Sequence, residues 1–166
     1  MSLFSSFPAR ISNRLSGYDY STPAAYFITI CTHQRKQILS EITVGEGLAP
    51  PVVKLTEYGK IAEEQLLMLQ SRYRNLSIDK YVIMPDHLHI LLTLSENAGG
   101  ASPSPTVPEI IGAYKSLTAR LCKAKADIGT LWQRSFYDHV VRNQQDYDEL
   151  WQYIDSNPHK QAEKMF

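Results

Sequence analysis

Two histidines, His87 and His89, stand one residue apart inside the apolar stretch YVIMPDHLHILLTL. Side chains alternate between the two faces of a β-strand, so both imidazoles of such a strand point to the same side. Neighbouring imidazoles on one face can converge on a single metal ion. The pattern therefore predicts part of a metal site, although an isolated His-x-His is more often a pair of surface residues without a ligand.

A candidate third ligand and a candidate nucleophile stand near the C-terminus, at Asn157 and Tyr153. Their spacing of four residues places them one above the other on a helix, which could aim both at the histidines. Asn157 offers a carbonyl oxygen to a metal, and Tyr153 offers a hydroxyl to a phosphate. A phenol hydroxyl that meets a metal-bound phosphate is a candidate nucleophile, although a tyrosine on a helix is more often a packing or rim residue.

The elements that must position these residues follow from apolar periodicity and turn residues. Strands are predicted at 26–32, 76–84, 87–94 and 135–142, helices at 56–72, 106–125 and 144–156, and a hairpin or excursion at 41–55. The last helix is expected to stop near Pro158, because a residue before proline is pushed out of helical geometry. The β-α-β-β-α-β order with an extra C-terminal helix predicts an α+β, ferredoxin-like fold with an antiparallel sheet.

The two faces of this sheet are expected to differ. The residues Leu88, Ile90, Leu92 and Leu94 form a purely apolar set that belongs under the helices. His87 and His89 then point to the opposite, open face. Many RNA-recognition domains hold nucleic acid on the open face of such a sheet, so the same surface is predicted to bind single-stranded nucleic acid.

The length of 166 residues fits a single domain, here 1–166, with an N-terminal arm at 1–23 and a flexible linker at 95–105. The two cysteines make no metal pair, and two free thiols fit a reducing cytoplasm. No apolar run reaches the roughly 18 residues of a membrane span, and the start lacks the apolar centre of a secretory signal. We therefore expect a cytoplasmic protein, either a monomer or a homodimer.

The formal net charge is zero, but basic residues cluster in 1–36 and 110–142. Aromatic rings can stack on bases, and basic side chains can follow phosphates. Each of the following candidates for DNA contact also fits an ordinary solvated surface: Arg14, Tyr18, Tyr20, Lys115, Arg120, Arg134, His139 and Arg142. His139 and Lys115 are in addition candidates for the base that activates Tyr153, whose unperturbed phenol titrates near about 10.

Three segments resemble REP-associated tyrosine transposases, of the single-tyrosine HUH endonuclease superfamily. They are residues 81–94, 131–143 (LWQRSFYDHVVRN) and 153–158 (YIDSNP), and the opening at 15–35 is similar as well. The resemblance implies that His87 and His89 bind a divalent metal, that Asn157 completes the site and that Tyr153 is the nucleophile. Attack by Tyr153 would then give a covalent 5′-phosphotyrosine and a free 3′-hydroxyl, which suits strand transfer. It also implies action on single-stranded DNA, often near hairpins of repeated palindromes. A mixed nitrogen and oxygen donor set suits Mn²⁺ and is acceptable to Mg²⁺.

Two other functions remain open at this point. A non-catalytic single-stranded nucleic-acid-binding module would use the same sheet, form no covalent product and bind equally well with Tyr153→Phe. A metal-dependent phosphoesterase would use water as the nucleophile and would not need Tyr153. Of the three hypotheses, that of a transposase is the one in which all four site residues have a role.

Overall fold

The computed structural model describes residues 15–47, 49–96 and 104–164. The elements are β1 Ala24–Cys31, β2 Ser40–Thr43, β3 Val52–Leu55, α1 Glu57–Arg72, β4 Leu76–Ile83, β5 His87–Leu94, α2 Val107–Lys123, β6 Tyr137–Val140 and α3 Gln144–Glu163. Every predicted strand and helix is present. The candidate Arg14 and most of the predicted linker at 95–105 lie outside the described residues.

The main sheet has four strands in the order β4-β5-β1-β6, and all neighbouring strands run antiparallel. The predicted excursion at 41–55 is a separate hairpin in which β2 pairs with β3. The two central strands are β1 and β5, and β5 carries His87 and His89. This strand order, with α1 and α2 as the connecting helices, is the ferredoxin-like arrangement and confirms the predicted fold class.

The larger core lies between the sheet and the helices α1 and α2. Its fully buried members include Ile28, Ile30, Leu66, Leu88, Ile90, Leu92, Ile110 and Tyr114. The predicted apolar face of β5 is therefore confirmed. Thr106 begins α2 as predicted, because its hydroxyl accepts from the Glu109 amide while the Glu109 carboxylate accepts from the Thr106 amide.

The other face of the sheet is not open, and this prediction is wrong. Helix α3 packs across it, so that Leu150 and Ile154 contact Phe27 and Leu91 in a second buried cluster. His89 is only 1% exposed as a result. The fold thus has three layers, because the sequence places an apolar stripe on α3 that must be buried somewhere.

Helix α3 also continues past Pro158 to Glu163, so the predicted stop near Pro158 is wrong. Proline removes one backbone hydrogen bond and crowds the carbonyl four residues earlier. Contacts made by the last turn offset this cost, because Ala162 is buried against Ile42 and Met84. The hairpin β2–β3 therefore supports the end of the helix that carries Tyr153 and Asn157.

Residues 15–23 of the predicted N-terminal arm pack on the body of the domain. Tyr20 is 7% exposed and belongs to the larger core, and its carbonyl accepts from the Val107 amide at the start of α2. The hydroxyls of Tyr18 and Tyr26 are 3.2 Å apart. The rings of Tyr18 and Tyr20 therefore hold this segment to the layer of α1 and α2, on the opposite side of the sheet from α3.

Candidate active site

The four residues singled out by their spacing meet between β5 and α3. The rings of His87 and His89 have centroids 4.7 Å apart, and the rings of His89 and Tyr153 have centroids 5.2 Å apart. Asn157 follows Tyr153 by one helical turn and donates a hydrogen bond to its phenol. The fold thus brings together two strand residues and two helix residues, as their spacing predicts.

His89 is held from two sides by β1. Its Nδ1 lies 2.7 Å from the Thr29 hydroxyl, and its ring stacks on Phe27 at 5.2 Å. Because Nδ1 is engaged, Nε2 is the atom that would meet a metal. Burial, together with the charges of His87 and Arg35, lowers the pKa of His89 well below its ordinary value. The imidazole therefore stays neutral, which metal ligation requires.

His87 is oriented by a carboxylate. Its Nδ1 lies 2.6 Å from Asp86 Oδ1, and the second oxygen of Asp86 accepts from Arg35 Nε at 3.0 Å. Burial opposes the negative charge of Asp86, but its bonds to His87 and Arg35 hold its pKa below the ordinary value. An ionised carboxylate on Nδ1 fixes the ring tautomer and directs Nε2 to the ligand, as in many metal-binding histidines.

The Asn157 side-chain oxygen supplies the test of whether a metal fits. Oδ1 is buried and has no hydrogen-bond partner among the described residues. A buried oxygen of this kind is uncommon, because leaving it without a partner costs roughly 1–3 kcal/mol. Nowhere in the described ranges, this site included, do three or more His, Cys, Asp or Glu side chains group so that they could hold a metal, so the amide oxygen is needed as the third donor. Two imidazoles and this amide oxygen fit a divalent cation that keeps open coordination positions.

The phenol of Tyr153 lies in a partly buried environment. Burial raises its pKa, and the hydrogen bond from Asn157 acts in the opposite direction. Its ring contacts Phe27 edge-on at 6.0 Å between centroids, and Lys160 Nζ lies 5.3 Å from the Tyr153 ring centroid. The phenol is thus protonated in the resting protein, and it would have to lose this proton to act as a nucleophile.

The basic candidates are spread over different surfaces. Arg120 is exposed on α2, in the layer opposite α3, and Arg134 is exposed in the loop before β6. Lys115 Nζ donates to the carbonyls of Gln133 and Ser135 at 2.7 and 2.9 Å. Lys115 therefore stabilises the loop that leads into β6.

His139 and Arg142 lie together near the beginning of α3. His139 Nε2 is 2.8 Å from Asp146 Oδ2, and the same oxygen accepts from the Arg142 amide at 2.9 Å. Asp146 precedes Tyr153 by two helical turns, about 10 Å along the helix axis. A general base must reach the proton it removes within hydrogen-bond distance, so this placement does not favour His139 as the base for Tyr153.

Four residues that shape the site were missed by the sequence interpretation: Phe27, Thr29, Arg35 and Asp86. Asp86 adjoins His87 in the chain, and its carboxylate beside a candidate ligand was a usable signal. Phe27 and Thr29 lie two residues apart on β1 and therefore share one face of the strand. Their contact with His89 depends on the pairing of Thr29 with His89, two residues that are 60 positions apart in the chain. That register cannot be read from either strand alone.

Comparison with known proteins decides the family. The model for transposases described as IS200-like matches residues 21–157, which contain all four site residues. The chain belongs to the IS200-like transposase family. It is therefore an enzyme that acts on DNA, and the interpretation as a non-catalytic binding module is set aside.

Curated relatives agree with this assignment. An Escherichia coli REP-associated tyrosine transposase is 34% identical over 89 residues, which cover 54% of this chain and 48% of that protein. A Haemophilus influenzae protein described as uncharacterized is 26% identical over 164 residues, covering 90% of this chain and 88% of that protein. The resemblance to REP-associated tyrosine transposases that the motifs carry is confirmed.

Solved structures support the fold of this family member. A REP-associated tyrosine transposase bound to a REP hairpin matches with a TM-score of 0.64 at 20% identity, over 92% of this chain and 74% of that chain. A transposase from Deinococcus radiodurans, described as putative, matches with a TM-score of 0.51 at 21% identity, over 86% and 95% of the two chains. Within the described ranges of this transposase, no helix is long and apolar enough to cross a membrane.

Proposed function

We propose that this transposase cleaves and rejoins single-stranded DNA with Tyr153 as the nucleophile and with a divalent metal held by His87, His89 and Asn157. The observation that carries the proposal is the placement of Asn157, which donates to the Tyr153 phenol while its own buried oxygen lacks a partner among the described residues. One side chain thus links the nucleophile to the proposed ligand set.

The chemistry divides between the protein and the ion. A bound divalent ion, Mg²⁺ or Mn²⁺, would supply neutralisation of charge on the scissile phosphate and on the leaving oxygen. The protein orients the ligands, since Asp86 holds His87 and Thr29 holds His89. It also packs the nucleophile, since the Phe27 ring contacts the Tyr153 ring edge-on.

Attack by the Tyr153 oxygen on phosphorus would form the tyrosine–phosphate bond and break the bond between phosphorus and the 3′-oxygen of the preceding nucleotide. The phenolic proton leaves, and the departing strand ends in a 3′-hydroxyl. The phosphodiester is conserved in the link to the protein, so the 3′-hydroxyl of another strand can reverse the step. This balance suits strand exchange in transposition.

The DNA partner is proposed to be single-stranded and to carry hairpins. A solved relative is described as bound to a REP hairpin, and the motifs of this chain resemble the same group. Basic residues outside the core can follow phosphates, among them Arg134 and Arg142. Affinity should fall as salt rises, because phosphate contacts release counterions. A blunt duplex of equal length should bind less tightly than a hairpin with single-stranded flanks.

The test is formation of a covalent adduct. Wild-type protein with Mn²⁺ and a hairpin oligonucleotide labelled 3′ of the cut should yield label that migrates with the protein on a denaturing gel. Tyr153→Phe removes one oxygen and keeps the ring on Phe27, so it should fold and bind DNA normally yet form no adduct. Tyr137→Phe is the matched control, because Tyr137 packs at the edge of the same apolar cluster, and it should still react.

Two results would contradict the proposal. An adduct with Tyr153→Phe would mean that another residue is the nucleophile. Cleavage by the wild type without any adduct would mean that water attacks, as in a metal-dependent phosphoesterase. Chelation of the metal should stop adduct formation without releasing bound DNA, because phosphate contacts to basic side chains do not depend on the ion.

A further inference from the structure

The nucleophile and the histidines belong to different layers of the fold. Tyr153 and Asn157 lie on α3, whereas His87 and His89 lie on β5. The apolar contacts of Leu150 and Ile154 hold α3 on the sheet. Such contacts are non-directional, and packed helices can shift past one another by a turn between alternative packings. The correct approach of Tyr153 to His89 therefore needs directional contacts as well.

An irregularity in β4 supplies two such contacts. Ile78 pairs with Leu92 and Lys80 pairs with Leu91, so Asp79 is an extra residue in the strand, a β-bulge. Ile78 and Tyr81, on either side, both pack with the larger core. The bulge breaks the alternation between them, and the consecutive side chains of Asp79 and Lys80 both reach α3. We refer to Asp79 and Lys80 as the bulge pair.

Asp79 holds the first part of α3. Its Oδ2 accepts from the Tyr147 hydroxyl at 2.8 Å and from the Thr93 hydroxyl of β5 at 2.6 Å. Its Oδ1 accepts from the Ser77 hydroxyl at 2.8 Å. The carboxylate is thus fixed to the sheet by two strand residues while it receives one helix residue. Tyr147 precedes Tyr153 by six residues, about 9 Å along the helix axis.

Lys80 holds the next two turns. Its Nζ lies 2.9 Å from Asp155 Oδ1 and 5.1 Å from the centroid of the Trp151 ring. Tyr147, Trp151 and Asp155 recur every four residues, so they form one flank of α3. At about 100° per residue, Tyr153 lies on the opposite flank, with Leu150 and Ile154 between the two flanks. A contact that fixes the first flank therefore also fixes the rotation at which Tyr153 faces the sheet.

From this geometry we infer that the bulge pair, Asp79 and Lys80, positions the nucleophile of this transposase. Asp79 sets the position of α3 along the sheet, and Lys80 sets the rotation of this helix about its own axis. Together they bring the Tyr153 phenol to His89 and Asn157 to the proposed metal site. Neither residue contacts the phenol or the metal ligands. The inference rests on the proposed role of Tyr153, and it predicts a defect in reaction rate that is separable from DNA binding and from folding.

The test combines two conservative changes. Lys80→Met keeps the apolar stem and removes the bond to Asp155, and Tyr147→Phe keeps the ring and removes the bond to Asp79. In single-turnover reactions with saturating hairpin DNA, we expect each variant to form the adduct about ten-fold more slowly and the double variant more slowly still, because misplacement by about 1 Å can cost 100-fold. DNA affinity and melting temperature should stay near those of the wild type.

Two further variants separate positioning from general stability. Lys80→Arg can still bond to Asp155 and lie over Trp151, so it should restore most of the rate. Glu163→Gln is the matched control, because Glu163 pairs with His159 within α3 at 3.6 Å and does not join the helix to the sheet. Its reaction rate should equal that of the wild type.

A structural measurement makes the test independent of the reaction. In the wild type, proton NMR should detect nuclear Overhauser effects between the Tyr153 ring and the Phe27 ring, and the double variant should weaken or lose them. Persistence of these ring contacts in the double variant would overturn the inference, whatever its reaction rate. If the wild type forms no adduct, the proposed function fails, and the ring contacts still decide whether the bulge pair positions Tyr153.

Discussion

Asn157 and Tyr153 form the connection on which the site depends. The Asn157 amide group donates to the Tyr153 phenol, while its carbonyl oxygen is buried without a hydrogen-bond partner among the described residues. An amide side chain is suited to this double task, since it has a donor and an acceptor at one end. A carboxylate could replace the oxygen but would lose the donor.

Removal of the Asn157 side-chain oxygen should weaken metal binding sharply. Loss of an outer partner of a metal ligand typically costs about 10–100-fold in affinity, so we expect Asn157→Ala, which removes a proposed direct ligand, to cost at least about 100-fold. Isothermal titration with Mn²⁺ measures this change. Ser156→Ala, at the neighbouring helix position, is the control and should bind as the wild type does. Equal affinities of Asn157→Ala and the control would contradict the proposed ligand set.

The same substitution should change how metal affects stability. A ligand that binds only the folded state stabilises it by RT ln(1 + [L]/Kd), which is about 2.7 kcal/mol at 100 times Kd. Wild-type protein should therefore melt at a higher temperature in saturating Mn²⁺ than in chelator, whereas Asn157→Ala should show little difference at the same concentration. A thermal melt without DNA makes this comparison independent of the reaction.

Asp86 should act on the proposed metal site through His87. Asp86→Asn keeps the size of the side chain but removes the charge that holds the imidazole and the Arg35 guanidinium. We expect a loss of about 10–100-fold in Mn²⁺ affinity, as for other carboxylates behind a metal-bound histidine. Asp127→Asn, in an exposed loop, is the control. Unchanged affinity in Asp86→Asn would show that His87 is not oriented through this carboxylate.

The sequence predicted the elements and the four central residues because each has a local signal. His-x-His on a strand and residues four apart on a helix report a shared face without any knowledge of the partner. The position of α3 was harder to predict, since an apolar stripe shows that a helix is buried but not on which layer. Tyr18 and Tyr20 illustrate the same limit, because their aromatic rings suggested DNA stacking and lie instead against the core.

The bulge in β4 had no readable signal at all. The segment LSIDKYVI contains no glycine or proline to mark an irregular strand. Asp79 becomes the extra residue only because the pairing of β4 with β5 shifts there. Likewise, Pro158 predicts a helix end, and only the contact of Ala162 with Ile42 and Met84 explains why α3 continues. Tertiary contacts overrode the local preference in both places.

The buried His89 should make the metal-free protein sensitive to mild acid. Its folded pKa is lowered by burial and by the charges of His87 and Arg35, so the unfolded chain binds a proton more readily near its ordinary pKa of about 6.5. Stability from this group is therefore complete above about pH 6.5 and is lost as pH falls below it, by up to about 1.4 kcal/mol per pH unit.

Urea unfolding in chelator at several pH values between 7.5 and 5 measures this loss. His89→Gln replaces the ring with a group that does not titrate, so the variant should show a smaller decline over the same range. Carboxylates such as Asp86, with its lowered pKa, stay ionised throughout and do not contribute to it. Identical pH dependence in the wild type and His89→Gln would contradict the assignment.

Two helical glycines should respond in opposite directions to alanine. A Cβ on Gly59, in the first turn of α1, would lie 2.0 Å from the Leu39 carbonyl oxygen, which is backbone and cannot move aside alone. A Cβ on Gly112, inside α2, would meet nothing within 4 Å. Gly112→Ala should therefore stabilise the protein by up to about 1 kcal/mol through helix propensity, while Gly59→Ala should destabilise it by about 1–3 kcal/mol through overpacking. Urea unfolding of both variants provides the measurement, and each serves as the other's control.

If Gly59→Ala proved as stable as Gly112→Ala, the close packing of α1 under the loop before β2 would be wrong. Because that loop also leads to the hairpin that supports the end of α3, Gly59→Ala should in addition slow adduct formation, and Gly112→Ala should not.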